Sequence, residues 1–299
     1  EDVQAAWRAV GSAGMQEREA WQARLDASKQ QDEFNAAMTG ELPAGLTDAI
    51  NAHKKSLSEE APKLATRQAS GAALEVLNAA IPELIGGSAD LTGSVNTKIK
   101  EATPIDASNY GGNYLHYGVR EFGMAAVMNG LALHGGIIPY GGTFLVFADY
   151  LRGALRLSAL MGQRVVYVLT HDSIGLGEDG PTHQPVETIA SLRAIPNLNV
   201  FRPADAIETA ECWGIAIESA ATPSAIVLTR QGLATVRTDH TDENLSAKGG
   251  YILANADGER KATILATGSE VEIALAARDR LQADGVPTAV VSLPSWNLF

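Results

Sequence analysis

Residues 164–170, RVVYVLT, form an unbroken apolar run that is rich in β-branched side chains. Such a run is typical of a strand that is buried on both faces within a parallel sheet. A polar loop, HDSIGLGEDGPTHQP, follows at 171–185 and carries five side chains that can hold or transfer protons: His171, Asp172, Glu178, Asp179 and His183. In doubly wound α/β proteins, ligands bind beyond the carboxyl ends of the strands. We therefore predict that this loop belongs to a binding or catalytic site rather than to the solvated surface.

Strand-like and helical patterns alternate on both sides of this stretch. Strands are predicted at 84–87, 137–140, 199–202 and 225–229, and helices at 63–80, 121–134, 144–161, 186–194 and 207–220. Strict alternation of the two patterns indicates parallel strands that are joined by helices. The predicted fold is therefore α/β with a parallel sheet.

The flanking segments set the predicted domain boundaries. Residues 1–60 are rich in Ala, Gln, Glu and Arg, which indicates a helical connector without a core of its own. Residues 61–236 hold the alternating pattern. Residues 237–299 contain one strand–helix–strand unit, at 263–266, 269–283 and 288–291. One such unit is too little for a doubly wound domain, and the chain begins with Glu1 rather than Met, so we expect a fragment with a truncated carboxyl-terminal domain.

The charge and the cysteine content argue against several classes of function. A formal net charge of −12 and a pI near 5.0 disfavour nucleic acid and anionic membranes as partners, because both attract basic patches. Cys212 is the only cysteine, so neither a disulfide framework nor a thiolate metal site is available. No apolar run reaches membrane-spanning length. We expect a cytoplasmic protein in which Cys212 packs in the core beside Trp213.

Glu121 opens an otherwise apolar helix, directly after the sequence YGVR. It is either a first-turn carboxylate that the helix dipole stabilises, or a buried carboxyl group that meets a ring nitrogen of a heterocyclic ligand. Phe144, Phe147 and Tyr150 are spaced three apart, so on a helix they share one face. That stripe is either core or a pocket for a flat ligand, and the glycines at 141–142 favour close approach of a ligand.

Arg67, His171 and Arg230 are far apart in the sequence, but His171 and Arg230 each follow a predicted strand. Guanidinium groups at the ligand edge of the sheet suit a terminal phosphate on a substrate. Taken singly, each of these side chains is better explained by a weak surface ion pair.

Five segments together resemble the transketolase family: GGSADLTGS at 86–94, YGVREFGMAA at 117–126, YGGTFLVFADY at 140–150, THDSIGLGEDGPTHQPVET at 170–188 and LTRQ at 228–231. They span the family's pyrimidine-binding domain, and KGGYIL and ATGSEVEIALAA extend the resemblance into the carboxyl-terminal domain. The resemblance implies a three-layer αβα domain that binds thiamine diphosphate. It also implies transfer of a two-carbon ketol unit from a ketose phosphate to an aldose phosphate, in the pentose phosphate pathway.

The resemblance assigns roles to individual residues. Glu121 matches the glutamate that contacts the cofactor's pyrimidine nitrogen, and His183 matches a histidine near the carbonyl of the donor. Asp179 matches a carboxylate that contacts a donor hydroxyl, and Asp90 an aspartate near the cofactor cleft. The pyrimidine pocket matches Phe144, Phe147 and Tyr150. The sugar-phosphate anchors match Arg67, Ser94, His171 and Arg230.

One family feature is absent from this sequence. Transketolases bind the diphosphate and a divalent cation, Mg²⁺ or Ca²⁺, in an amino-terminal domain with a Gly-Asp-Gly motif, and this chain has only Glu178-Asp179-Gly180. We therefore expect no metal site here, and a partner that is either a second copy in a homodimer or the amino-terminal half. Two alternatives stay open. The chain is a catalytically silent binding or dimerisation module, or it belongs to a related ketol transferase such as dihydroxyacetone synthase or deoxyxylulose phosphate synthase.

Overall fold

The computed structural model describes residues 2–299, which divide into an amino-terminal unit that ends at Glu41 and a second unit, Leu42–Phe299. The first unit holds three helices without a buried residue: α1 (Asp2–Ser12), α2 (Met15–Asp26) and α3 (Gln31–Thr39). Trp7 is 82% exposed, and the rings of Trp21 and Phe34 meet edge to face at 6.0 Å. The predicted connector at 1–60 is thus helical over these elements, while residue 1 lies outside the described residues.

A six-stranded parallel sheet forms the centre of the second unit, in the order β3-β2-β4-β5-β7-β6. Its strands are β2 (Leu84–Ser88), β3 (Tyr114–His116), β4 (Ile138–Phe144), β5 (Val166–Thr170), β6 (Asn199–Phe201) and β7 (Ser224–Leu228). The predicted parallel sheet is confirmed, and the apolar run at 164–170 supplies β5, between β4 and β7.

Helices cover both faces of this sheet. They are α4 (Leu46–Glu60), α5 (Thr66–Ala80), α6 (Thr92–Val95), α7 (Glu121–His134), α8 (Ala148–Met161), α9 (Thr188–Arg193) and α10 (Ala206–Glu218). Strand β5 shows how the two cores form, because successive side chains on a strand point to opposite faces. Val168 packs in one core with Leu74 and Trp213, whereas Leu169 packs in the other with Met124. The result is the three-layer αβα arrangement that the resemblance implies.

Helix α4 packs on this domain through both apolar and charged contacts. Ile50 belongs to the same core as Trp213. The buried ammonium of Lys54 lies 3.1 Å from Glu211 Oε1, and the guanidinium of Arg237 lies 2.9 Å from Glu211 Oε2. Because Lys54 and Glu211 are almost inaccessible to solvent, each of these charges depends on its partner.

The region after residue 248 forms a separate three-stranded sheet in the order β10-β11-β9. It comprises β9 (Tyr251–Ala254), β10 (Ala262–Ala266), α11 (Glu270–Ala283) and β11 (Thr288–Ser292). Strands β10 and β11 run parallel, whereas β9 is antiparallel to β11. A two-stranded antiparallel sheet, β1 (Leu64–Ala65) with β8 (Gly232–Leu233), joins the beginning and the end of the main domain.

The structure corrects the predicted boundary between β4 and α8. Strand β4 continues to Phe144, so residues 141–143 lie within the strand, and a 3-10 turn, Leu145–Phe147, precedes α8. The predicted helix at 144–161 is therefore wrong over its first four residues. The glycines reflect tight packing, because a Cβ on Gly141 would lie 2.7 Å from the sulfur of Met128. Strands β3 and β9 were not predicted.

Gly86 offers a test of the close packing within the sheet. A Cβ at this position would lie 2.3 Å from the hydroxyl of Tyr140, which is buried and donates to the carbonyl of Thr97 at 3.0 Å. We expect Gly86→Ala to lower the free energy of unfolding by about 1–3 kcal/mol, as overpacking of a core does. Gly93→Ala is the matched control, because nothing lies within 4 Å of its added Cβ. Urea unfolding measures both, and equal stability of the two variants would contradict this account.

Candidate active site

The carboxyl ends of the parallel strands bring most of the predicted site residues to one edge of the main sheet. Ser94 follows β2, Glu121 follows β3, His171 follows β5, and Arg230 follows β7. Because these strands belong to one sheet and run in the same direction, the residues after them converge at one edge although they are distant in sequence.

Three aromatic rings form a continuous cluster at this edge. The ring centroids of Phe144 and Phe147 are 5.8 Å apart with planes within 8° of each other, and those of Phe147 and Tyr150 are 5.9 Å apart. The prediction that all three share one helical face is wrong, because Phe144 ends β4, Phe147 lies in the 3-10 turn and only Tyr150 lies in α8. The cluster runs from the buried ring of Phe144 to that of Tyr150, which is 66% exposed.

Both loop histidines contact this aromatic cluster. The imidazole of His171 stacks on Phe144 with centroids 3.8 Å apart, and that of His183 meets Phe147 edge to face at 5.4 Å. His171 has a φ of 63°, a left-handed conformation that is uncommon outside glycine and is seen at functional sites. Its Nδ1 lies 2.8 Å from Thr170 Oγ1. The loop after β5 therefore places two imidazoles beside a flat aromatic surface.

The pKa of His171 shows which charges surround it. Burial first, and then the positive charges of Arg67 and Arg230, lower this pKa from 6.5 to about 4, whereas Asp179 acts in the opposite direction. His171 is therefore neutral at neutral pH, and its ring can donate or accept a hydrogen bond. Because the charges of Arg67, Arg230 and Asp179 all shift the pKa of His171, two guanidinium groups and one carboxylate lie near its imidazole.

The two arginines have donor capacity that the described residues do not use. Arg67 Nη1 donates to the carbonyl of Ser94 at 2.7 Å, whereas its buried Nε has no partner within residues 2–299. Burial, and then the charge of Arg230, lower the pKa of Arg67. Arg230 pairs only loosely, at 3.6 Å, with the exposed carboxylate of Glu178. Two neighbouring guanidinium groups with free donors favour an anionic ligand.

Glu121 is the first residue of α7 and is 8% exposed. Within the described part of the chain, its carboxylate has no hydrogen bond or ion pair. The neighbouring guanidinium of Arg120 donates instead to the carbonyl of Tyr117. The side chain is largely buried and its carboxyl group has no partner among residues 2–299, so the position suits a ligand that supplies a nitrogen to it.

Asp90 and Asp179 are both exposed, but their surroundings differ. Asp179 lies close enough to His171 to affect its pKa. Asp90 follows β2 at the same edge with a φ of 64°, and no hydrogen bond or ion pair among residues 2–299 links its side chain to the other predicted site residues. The structure therefore groups Asp179 with the histidines and leaves Asp90 apart.

Arg202 is the site neighbour that sequence reasoning missed, and its partner is Asp172, which was predicted only as one of the proton-holding side chains of the loop. Both are buried, and Arg202 Nε lies 2.8 Å from Asp172 Oδ2. The sequence predicts Arg202 only as the last residue of the strand at 199–202, and nothing in the sequence signals that its guanidinium turns inward. Among residues 2–299, no group of three or more His, Cys, Asp or Glu side chains is arranged to hold a metal ion. Within the same residues, no helix is both long and apolar enough to cross a membrane.

Comparison with known proteins places these features in one class, the α/β proteins with a pyrimidine-binding domain. The family model for the transketolase pyrimidine binding domain matches residues 62–235, and the model for the transketolase-like carboxyl-terminal domain matches residues 249–299. The first match alone covers more than half of the chain. The chain belongs to the transketolase family.

Individual relatives agree with this assignment. A transketolase from Sinorhizobium medicae is 58% identical over 299 residues, which are 100% of this chain and 43% of that protein. A structure of the Pichia stipitis transketolase in complex with sedoheptulose-7-phosphate has a TM-score of 0.90 and 40% identity, over 99% of this chain and 44% of that one. An inactive β4 tetramer of a split-gene transketolase has a TM-score of 0.65 and 30% identity, over 78% and 73%. The chain thus spans less than half the length of the first two.

The lowered pKa of His171 makes stability depend on pH. Between pH 6.5 and about 4 the folded protein binds fewer protons than the unfolded chain, so the free energy of unfolding should fall as the pH falls through this window. His171→Asn should flatten that dependence, and Asn tolerates the positive φ. His116→Asn, at an exposed position of β3, is the matched control and should keep the original slope. Urea unfolding between pH 6.5 and about 4 measures the free energy of unfolding of each variant. An unchanged dependence on pH in His171→Asn would contradict the conclusion that the lowered pKa of His171 causes it.

Proposed function

We propose that this chain supplies the pyrimidine-binding portion of a transketolase, which uses thiamine diphosphate to transfer two-carbon ketol units between sugar phosphates. The observation that carries the proposal is the largely buried side chain of Glu121, whose carboxyl group has no partner among residues 2–299, at the edge of the sheet that also bears the aromatic cluster. Family membership supports it, since the related proteins are named transketolases. Because the chain spans less than half of their length, the activity is proposed for this chain together with an amino-terminal part.

The residues at this edge fit the pyrimidine half of the cofactor. Phe144, Phe147 and Tyr150 offer ring surfaces for stacking on a flat heterocycle. Glu121 would hydrogen-bond a ring nitrogen and hold a proton there, and Asp90 would lie at the outer end of the cleft. When bound, thiamine diphosphate supplies the electron sink for breaking and forming the carbon–carbon bond. This chain orients the ring and manages protons around it.

A sugar phosphate fits the cationic side of the site. Arg67 and Arg230 would hold the phosphate, His171 would donate to it from its neutral ring, and Ser94 would fix the guanidinium of Arg67 through its carbonyl. His183 and Asp179 would contact the hydroxyl and carbonyl groups of the donor, where an imidazole is a fitting proton shuttle. The Pichia stipitis relative in complex with a sugar phosphate supports this substrate class.

The remaining half of the cofactor site needs another polypeptide. We assign the diphosphate and its divalent cation, Mg²⁺ or Ca²⁺, to the amino-terminal part that the relatives carry beyond the length of this chain. An apolar face on α7 and α8 offers a surface for a partner, because its large side chains are exposed: Phe122, Val127, Leu133, Leu157 and Leu160. Several large apolar side chains exposed on two helices that pack together suit an interface between polypeptides. A second copy or an amino-terminal half would cover it.

Glu121→Gln tests the proposed proton role directly. The chain is joined to the amino-terminal part of the Sinorhizobium medicae relative, and ketol transfer between sugar phosphates is assayed. We expect the variant to lose at least about 100-fold in turnover, the usual scale of a lost proton-transfer group. Glu101→Gln, at an exposed loop position, is the control and should retain activity. Unimpaired turnover of Glu121→Gln contradicts the mechanism.

The apolar face gives a second test. Leu160, on α8, is 73% exposed, and Ile273, on α11, is 66% exposed. We expect Leu160→Asp to weaken association with a second copy or with the amino-terminal part, whereas the matched Ile273→Asp leaves it intact. Sedimentation velocity of the chain, alone and mixed with the amino-terminal part, measures both. Equal association of the two variants contradicts an interface on α7 and α8.

Two alternative functions are separated by binding and substrate measurements. The inactive split-gene tetramer favours a silent binding or dimerisation module as the second candidate, and it resembles this chain over 73% of its length. Titration of thiamine diphosphate with and without the amino-terminal part decides, because tight binding and turnover by this chain alone exclude a silent module. A comparison of acceptor substrates separates transketolase from dihydroxyacetone synthase and deoxyxylulose phosphate synthase.

A further inference from the structure

Arg202 joins the loop after β5 to the carboxyl-terminal region. It directly follows β6, it is 6% exposed, and its guanidinium bonds in two directions. Nε donates to Asp172 in the loop at 2.8 Å. The other two nitrogens point to the segment before and at the start of α11, called here segment 267–270. Nη1 pairs with Glu270 and donates to the carbonyl of Thr267 at 2.9 Å, and Nη2 donates to Ser269 Oγ at 3.2 Å.

Segment 267–270 is shaped around this side chain. The amide of Gly268 donates to the carbonyl of Arg202 at 3.1 Å, and the hydroxyl of Thr267 donates to the same carbonyl at 3.2 Å. Gly268 has a φ of 58°, and a Cβ there would lie 2.7 Å from Arg202 Nε. Any other residue at 268 would therefore displace the guanidinium. The carboxyl-terminal region holds Arg202 in place through both its backbone and its side chains.

Asp172 transmits this constraint to the candidate site. It comes directly after His171, whose imidazole stacks on Phe144. The side chain of Asp172 is 2% exposed and its only ion pair within residues 2–299 is with Arg202. Beyond Asp172, Leu176 is buried, whereas Glu178 and Asp179 are exposed. The ion pair thus fixes the loop by a charged contact directly after the stacked imidazole of His171.

We propose that Arg202 is a positioning residue, which sets the loop at 171–184 for the sugar phosphate by fixing Asp172 against segment 267–270. The inference rests on the proposed function, because it assigns the loop's histidines and Asp179 to the substrate. It gives the carboxyl-terminal region a role in the site although none of its residues is among those predicted to touch a ligand.

The chemistry of the contacts requires an arginine. A guanidinium presents several donors in a rigid fork, so it serves Asp172 and segment 267–270 at once, whereas an ammonium would serve one side only. Burial acts to lower the pKa of Arg202, but Asp172 and Glu270 raise the pKa overall. The guanidinium is therefore charged at neutral pH, where it can hold Asp172 and Glu270 at once.

Hydrogen exchange on this chain and donor kinetics with the amino-terminal part test the proposal together. We expect Arg202→Lys to speed amide exchange in residues 171–184 by about tenfold, since hydrogen bonds to a charged group are lost. The KM for a sugar-phosphate donor should rise by about tenfold. The affinity for thiamine diphosphate should stay within about twofold, because the aromatic pocket does not include Arg202. Arg278→Lys is the matched control, since Arg278 bonds Asn255 and Asp257 within the carboxyl-terminal region.

Glu270→Gln provides a second variant that removes only one of the contacts, at a half-exposed side chain. Glu270→Gln should raise the amide exchange rate in residues 171–184 and the KM for the donor, each by less than Arg202→Lys does. If Arg202→Lys does not fold, Glu270→Gln alone tests the proposal. Unchanged loop exchange in both folded variants overturns the proposal, as does faster exchange with an unchanged donor KM. If no form transfers ketol groups, including the unmodified chain, the proposed function fails, while faster loop exchange still supports the positioning role of Arg202.

Discussion

The common direction of the six strands in the main sheet is the constraint on which the rest of this structure depends. Parallel strands end at one edge, so the residues that follow them converge without being close in sequence. Strand β5 makes this arrangement rigid, because all five of its residues are buried and its two faces belong to different cores. The loop that carries His171 and His183 therefore starts from one of the most firmly held parts of the molecule.

The site combines groups that are individually unfavourable. A buried imidazole lies among cations, a buried carboxylate has no partner among the described residues, and His171 has a left-handed backbone. Each of these features costs free energy that the surrounding packing must offset. Groups of this kind are concentrated where a ligand completes them, which is why the loop and Glu121 stand out from the remaining polar surface.

The sequence predicted the elements with strong periodicity and missed those that depend on tertiary contacts. The helix predicted at 121–134 is confirmed residue for residue as α7, because its apolar run is long and ends at a glycine pair. The end of β4 was misplaced because Gly141 and Gly142 lower the apparent strand propensity, while Met124 and Met128 pack against the space that they leave. Convergence of His171 and Arg230 followed from the topology, whereas Arg67 approaches them from the first turn of α5. The contacts of Arg202 could not be predicted, because its partners lie 30 and 68 residues away and no local pattern marks them.

The pairing of β1 with β8 has a consequence for how such a protein can be divided. Leu64 lies opposite Leu233, so the chain enters and leaves the main domain at the same point. A domain whose two ends are joined by a pair of hydrogen-bonded strands keeps that pairing whatever is attached beyond the strands. Because α4 also packs on this core, genes can be cut, fused or exchanged on the amino-terminal side of α4 without disrupting the main sheet.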